Sequence, residues 1–212
     1  KIKTTELKKN EKTGTIYGNG RYYCSGVCDT YLSVSSNGIG LRSRAVQTVR
    51  GTVRFGGGYT CGDLEYAKGF GAMLAVQCGI RVFCAAYRLA PEAPFPAASE
   101  DALAAYEYLL NKGYRPEQIT LCGESAGGGL CYALCMKLRE SGMAMPGGIL
   151  TVSPWTDLTG SGKSYEENRD VDPSMTWEAL DFFAQCYAQN RKDPLVSPLF
   201  GDLSDMPPSL IF

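Results

Sequence analysis

The chain has 212 residues, 44% of them apolar, and a formal net charge of −1. That size and composition suit one domain with a sizeable buried core, and the near-neutral charge excludes a general pull toward nucleic acid or anionic membrane. No run is long and apolar enough to span a bilayer, so membrane insertion is not expected either.

The charge is unevenly spread: basic residues dominate 1–54 and acidic ones dominate 55–212, as expected of a solvated basic segment at the start. Lys1 to Lys12 is polar and has no apolar signal-peptide core. Nine cysteines are scattered without paired metal-ligand spacing. An odd count without such a leader leads to the expectation of reduced thiols, mostly small core residues, in the cytoplasm. There is no histidine, which removes the commonest general base and the commonest metal ligand from these residues. No metal and no cofactor are expected.

In chain order, residues 1–45 are unassigned: glycines punctuate short Tyr/Val/Ser runs such as Tyr31–Val34, which suggest short strands and turns. Ala45–Phe55 reads as a strand running into Gly56-Gly57-Gly58. Asp63 to Gln77 has apolar residues at helical spacing. Ile80–Tyr87 is a short, nearly continuous apolar run, the pattern of a buried parallel strand. Pro91, Pro94 and Pro96 mark a loop, and Ser99 opens a helix that runs to about Asn111. Gln118–Cys122 is a strand, Ala126–Ser141 a helix, Gly148–Ser153 a strand. A further helix lies within Asp172–Asn190, and Ser209–Phe212 begins another strand. Strands alternating with helices predict βαβ units and a mostly parallel sheet flanked by helices. The apolar end at Phe212 reads as a cut through a domain. An open sheet edge there leads to the expectation of a homodimer or of aggregation.

Two features carry chemistry. Gly123-Glu124-Ser125-Ala126-Gly127 fits G-x-S-x-G between a predicted strand and a predicted helix. That context makes Ser125 a candidate nucleophile on a tight turn, with helix amides aimed at developing negative charge. The alternative is a glycine-rich turn with a structural serine. Gly56-Gly57-Gly58 follows a strand, and glycines there let backbone N–H groups approach a reacting carbonyl. Taken alone, it could equally be a flexible turn.

The pieces GGGYTCGD (56–63), YRLAPEAPFPAA (87–98), GESAGGG (123–129), SPWTDL (153–158) and DPLVSPLFGDL (193–203) follow one another along residues 51–212. In these the chain resembles the hormone-sensitive-lipase-like family of α/β-hydrolases, the bacterial acetyl- and carboxylesterases. The resemblance implies an α/β-hydrolase fold: a core over 46–212 with a small helical cap inserted near 160–190, the last strands and helices missing. Residues 1–45 contribute to the cap and first strands in that reading. It implies Ser125 as nucleophile and the amides of Gly57, Gly58 and Ala126 as the oxyanion hole. Tyr59, Glu124, Trp177 and Phe182 are substrate-binding candidates, with Phe183 beside them. Glu124 and the YRLAPE segment also support the site. For the three aromatics, ordinary helix packing is the competing reading.

The expected reaction is hydrolysis of small, short-chain esters through an acyl-serine. Two departures stand out. The family usually has histidine where this chain has Phe55, and its acidic and histidine triad members would follow beyond Phe212. Asp157, Asp193, Asp202 and Asp205 are acid candidates by residue type only, with Asp157 and Asp193 expected to be structural. No lysine lies in a motif near the elbow to form a Ser–Lys pair. Two alternatives therefore stay open: a non-catalytic ligand-binding pseudo-hydrolase, or a truncated fragment that folds poorly or is completed by another chain.

Overall fold

The computed structural model describes residues 14–18, 21–25, 49–54, 56–62, 64–172 and 175–212. Phe55 and the run Tyr31–Val34 lie outside them. Strands β1 (Gly14–Gly18) and β2 (Arg21–Ser25) pair antiparallel, with Gly18 opposite Arg21. The remaining strands are β3 (Val49–Arg54), β4 (Arg81–Cys84), β5 (Thr120–Glu124), β6 (Gly148–Val152) and β7 (Ser209–Ile211). They form one parallel sheet in the order β4-β3-β5-β6-β7.

The helices are α1 (Leu64–Cys78), α2 (Ala97–Asn111), α3 (Ser125–Glu140), the short α4 (Ser164–Glu167) and α5 (Trp177–Tyr187). The chain runs from β3 outward to β4, then crosses back over β3 to β5 and continues to β6. Right-handed crossovers with that reversal put α1 on one face of the sheet and α2 and α3 on the other. The reversal makes the gap between β3 and β5 the topological switch point, where the carboxyl ends of open α/β sheets bind ligands. The two chemically suggestive loops leave those two strands.

The core explains why these segments fold as they do. Leu121, Leu130, Leu134 and Leu138 are fully buried between β5 and α3, and Ala102, Ala105 and Tyr106 of α2 are fully buried with them. The Tyr106 hydroxyl donates to the Ala144 carbonyl oxygen at 2.9 Å. Helix α2 starts at Ala97, two residues before the expected Ser99. Pro96 is its cap without a side-chain bond, and the Ser99 hydroxyl instead donates to the Pro96 carbonyl at 2.8 Å. Asp101, also in α2, is buried and accepts from the Arg88 backbone N–H at 2.8 Å and from Arg88 Nε at 2.9 Å. This pair ties the YRLAPE segment to α2.

Among the described residues, Cys84, Cys122, Cys131 and Cys135 are buried and form no disulfide, as expected of small core residues, whereas Cys61 and Cys78 are exposed. Burial pushes the Cys122 thiol up to about 11, so it is not a ready nucleophile. No helix among the described residues is long and apolar enough to cross a membrane.

Candidate active site

Strands β3 and β5 run in register, with Arg54 beside Gly123, so the segments leaving the two strands emerge side by side. After β5 comes Ser125, the first residue of α3, with φ of +49°. A left-handed backbone at a non-glycine residue is unfavourable and persists only where the surroundings enforce it. Here three contacts enforce it. A Cβ on Gly123 would lie 2.3 Å from the Gly127 carbonyl oxygen, so strand and helix touch backbone to backbone. A Cβ on Gly129 would lie 2.2 Å from the Trp155 carbonyl oxygen. The Trp155 N–H donates to the Ser125 carbonyl at 2.8 Å. The SPWTDL segment thus clamps the turn from outside, and the glycines of GESAGGG are what allow it to approach.

After β3 comes the glycine loop. A Cβ on Gly56 would be 3.1 Å from Ser125 Cβ, which places the loop directly against the serine. Gly57 and Gly58 have φ of 115° and 58°, angles that glycine adopts without penalty. The Gly57 carbonyl accepts from the N–H groups of Thr60 at 3.0 Å and Cys61 at 2.9 Å, and from the Cys61 thiol at 3.2 Å. Those bonds commit the Gly57 carbonyl inside the turn. Ala126, buried, lies in the first turn of α3, whose amides lack intrahelical acceptors and carry the positive end of the helix dipole. The structure thus brings together Ser125, Gly57, Gly58 and Ala126.

The other expected residues fall differently. Glu124 ends β5 and caps α3, half-buried. Tyr59 departs from its expected place against substrate. It is 1% exposed, and its ring stacks face to face on Tyr187 with centroids 3.8 Å apart. Burial raises its hydroxyl well above the usual tyrosine range. The left-handed backbone at Gly57-Gly58-Tyr59 turns that ring into the core.

Trp177 fills the space over Gly160 and meets Tyr165 edge-on at 5.4 Å. Together with Ser164, Tyr165, Asn168, Arg169, Asp172, Met175, Thr176 and Leu180 it lines a cavity of about 210 Å³. That cavity shares no residue with the elbow or the glycine loop. Phe182 is 60% exposed and leans on Phe183 at 6.1 Å. Phe183 itself lies on Gly58. Sequence reasoning missed Tyr187. Its i, i+4 spacing from Phe183 is the one local signal that both share a helix face.

Three of the four acid candidates, Asp157, Asp193 and Asp202, are engaged in local structure. Burial alone would raise the Asp157 carboxyl, but hydrogen bonds from the hydroxyls and N–H groups of Thr159 and Ser161 outweigh it and hold it low. Asp193 accepts from the Leu195 N–H at 2.9 Å. Asp202 accepts from the Ser204 N–H at 2.9 Å and pairs with Arg139. Two bonds, from Leu158 N–H to Ser197 Oγ at 2.9 Å and from Leu199 N–H to the Thr156 carbonyl at 3.0 Å, lace SPWTDL to DPLVSPLFGDL.

Comparison with known proteins agrees with this fold. Residues 54–212 match the family described as the alpha/beta hydrolase fold. An acetyl-hydrolase of Streptomyces hygroscopicus is 38% identical over 158 residues, covering 74% of this chain and 53% of that protein. A solved esterase of the bacterial hormone-sensitive lipase family shares 41% identity with a TM-score of 0.74, over 77% of this chain and 56% of that one. The structure of EstE5 soaked with p-nitrophenyl butyrate superposes with a TM-score of 0.76 at 29% identity, over 97% of this chain and 66% of that one. The chain therefore spans about half the length of the acetyl-hydrolase. By its matched residues and its fold, the chain belongs to the hormone-sensitive-lipase-like family of α/β-hydrolases.

Proposed function

We propose that these residues carry the nucleophile and the oxyanion hole of a carboxylic ester hydrolase acting on small, short-chain acyl esters. The observation that carries this reading is Ser125, held at φ +49° at the switch point with the Gly56 backbone against its side chain. Ser125 Oγ attacks the ester carbonyl carbon, and the carbonyl oxygen takes on negative charge. The N–H groups of Gly57, Gly58 and Ala126 hold that charge. Collapse breaks the bond to the alcohol, which leaves with a proton, and the acyl group stays on Ser125 until water hydrolyses it. The chemistry as written uses no metal and no cofactor.

Short acyl groups are favoured by the name of the acetyl-hydrolase and by the butyrate ester soaked into EstE5. The cap-side aromatics Trp177 and Phe182 are the proposed contacts for the rest of the substrate, with Glu124 supporting the elbow. Tyr59, buried under the loop, supports it from the core. A cytoplasmic site of action is proposed from the buried cysteines Cys84, Cys122, Cys131 and Cys135, which form no disulfide.

The absence of histidine favours a second reading for these 212 residues taken alone. They would bind esters without rapid turnover, since the serine's proton has no imidazole to receive it. In an unrelated protease, loss of the base costs about six orders of magnitude in kcat. Hydrolysis of p-nitrophenyl acetate and butyrate beside Ser125→Ala decides between them. Turnover that the substitution abolishes supports the hydrolase. Equal rates in the two proteins, with saturable ester binding, support the binding reading.

A further inference from the structure

The glycine loop is held in a shape its own sequence does not favour. Gly57, Gly58 and Tyr59 follow one another at φ of 115°, 58° and 63°. Glycine takes such angles freely, but tyrosine does not, so contacts from outside must offset the strain. One comes from the backbone: the Ala90 N–H donates to the Tyr59 carbonyl at 2.9 Å. Two ring contacts come from a single helix, α5. The Tyr187 ring is parallel to that of Tyr59, with an interplanar angle of 5° and centroids 3.8 Å apart. The Phe183 ring occupies the place a side chain on Gly58 would take, since a Cβ there would lie 2.6 Å from Phe183 Cδ2. Phe183 and Tyr187 are four residues apart and so share one face of α5. A third anchor, Trp177, sits in a like notch at Gly160, where a Cβ would come within 2.2 Å of its ring.

The geometry points to Phe183 and Tyr187 as positioning residues for the oxyanion loop, which makes α5 a fixed brace rather than a free lid. This rests on the ester-hydrolase reading above, because it concerns the aim of the Gly57 and Gly58 amides. Neither residue touches the reacting atoms. Phe183 presses on Gly58 from the cap side while Tyr187 grips the next residue from the core side. An oxyanion donor works only if it is already in place when charge develops. A cap helix locked to the loop supplies that placement and couples the cap's seating to the catalytic geometry. Phe183 also leaves no room at Gly58 for a larger residue, so Gly58 and Phe183 form a matched pair.

The test uses the protein as expressed from its gene, with Phe183→Ala, Phe183→Leu, Ser125→Ala and Gln185→Ala. Gln185 lies on the exposed side of α5, bonded to Asp181 at 2.6 Å, and serves as a control. The first readout is amide hydrogen exchange over residues 56–62, where the Thr60 and Cys61 amides report the turn. The second is kcat and KM for p-nitrophenyl butyrate, per mole of protein whose Ser125 a fluorophosphonate can label. Removing an oxyanion donor outright costs roughly 100- to 1,000-fold in kcat, and a loosened loop should cost about tenfold.

Phe183→Ala is therefore expected to speed exchange at Thr60 and Cys61 about tenfold with β5 and β6 unchanged, and to lower kcat about tenfold with KM within about threefold. Phe183→Leu, which keeps the bulk but not the flat ring over Gly58, should shift both in the same direction by about threefold, and the presence or absence of that shift decides the matter if the alanine variant does not fold. Unchanged exchange over 56–62 would overturn the proposal. Faster exchange with unchanged kcat, while Ser125→Ala abolishes hydrolysis, would overturn the positioning role and leave the hydrolase reading standing. Equal hydrolysis by the parent and Ser125→Ala would instead overturn the hydrolase reading and the positioning role with it, even if exchange changed as expected.

Discussion

Replacing Gly123 by alanine adds one methyl group at the tightest point of the elbow. That Cβ would lie 2.3 Å from the Gly127 carbonyl oxygen, 2.5 Å from its carbon and 2.7 Å from the Gly128 nitrogen. All three are backbone atoms of the first turn of α3, so no side chain can swing aside. Relief requires moving strand and helix apart by about 1 Å to reach ordinary contact distance. Overpacking typically costs about 1–3 kcal/mol, and a backbone-to-backbone clash belongs at the upper end, near 3 kcal/mol. For a chain of this size that corresponds to a Tm lower by roughly 6–12 °C.

Gly69→Ala is the matched comparison. Gly69 lies inside α1, is exposed, and a Cβ there meets nothing within 4 Å. Only helix propensity acts, and the substitution is expected to stabilise by about 1 kcal/mol. Urea unfolding of both variants beside the parent, with the m-value checked for constancy, measures the two effects. A Gly123→Ala protein within about 0.5 kcal/mol of the parent would show that strand and helix are not in backbone contact there, since the expected cost is several times that.

Buried polar groups give two further outcomes. The Tyr187 hydroxyl is buried with no hydrogen-bond partner among the described residues, while its ring carries the stack on Tyr59. Tyr187→Phe is therefore expected to stabilise by about 1 kcal/mol in urea unfolding, by deleting an uncompensated buried hydroxyl. Asp157 has a depressed carboxyl in the folded protein. A group lowered on folding adds stability above its unfolded value, about 3.9, and loses it as pH falls through its native value. Asp157→Asn should flatten the loss of stability below about pH 4. A parent and variant whose acid unfolding curves stay parallel would contradict that assignment.

Much of the architecture was legible because local pattern and global fold agree. GESAGGG could be read as a strand-to-helix elbow, since the glycines that permit the turn are the ones touched by Gly127 and Trp155 backbone. The strand read over Ile80–Tyr87 is paired only over Arg81–Cys84. Beyond it the chain leaves the sheet to bring the Ala90 N–H to Tyr59, a demand that apolar periodicity does not encode. The Asn19-Gly20 pair between β1 and β2 is a strong hairpin signal in sequence, masked in a pattern reading by the many other glycines nearby.

Tyr59 shows the limit most clearly. The resemblance made it a substrate-binding candidate, yet its partner Tyr187 lies far along the chain, and only the tertiary fold brings the rings together. Trp177 and Phe182 share one helix with Phe183, but Trp177 lines a cavity away from the serine, Phe182 is exposed and Phe183 reaches Gly58. Composition alone gives no way to sort the three, because all are aromatic and differ only in rotation about the helix axis.

The proposed chemistry stands or falls with Ser125 as the nucleophile, and covalent trapping examines that residue without relying on turnover. The protein and its Ser125→Ala variant would be incubated with a fluorophosphonate ester and followed by intact mass and peptide mapping. One phosphonyl group, added with loss of fluoride, is expected to map to the peptide containing Ser125 and to be absent from the variant. A parent that gains no adduct, or one whose adduct maps to another residue and persists in Ser125→Ala, would contradict the assignment.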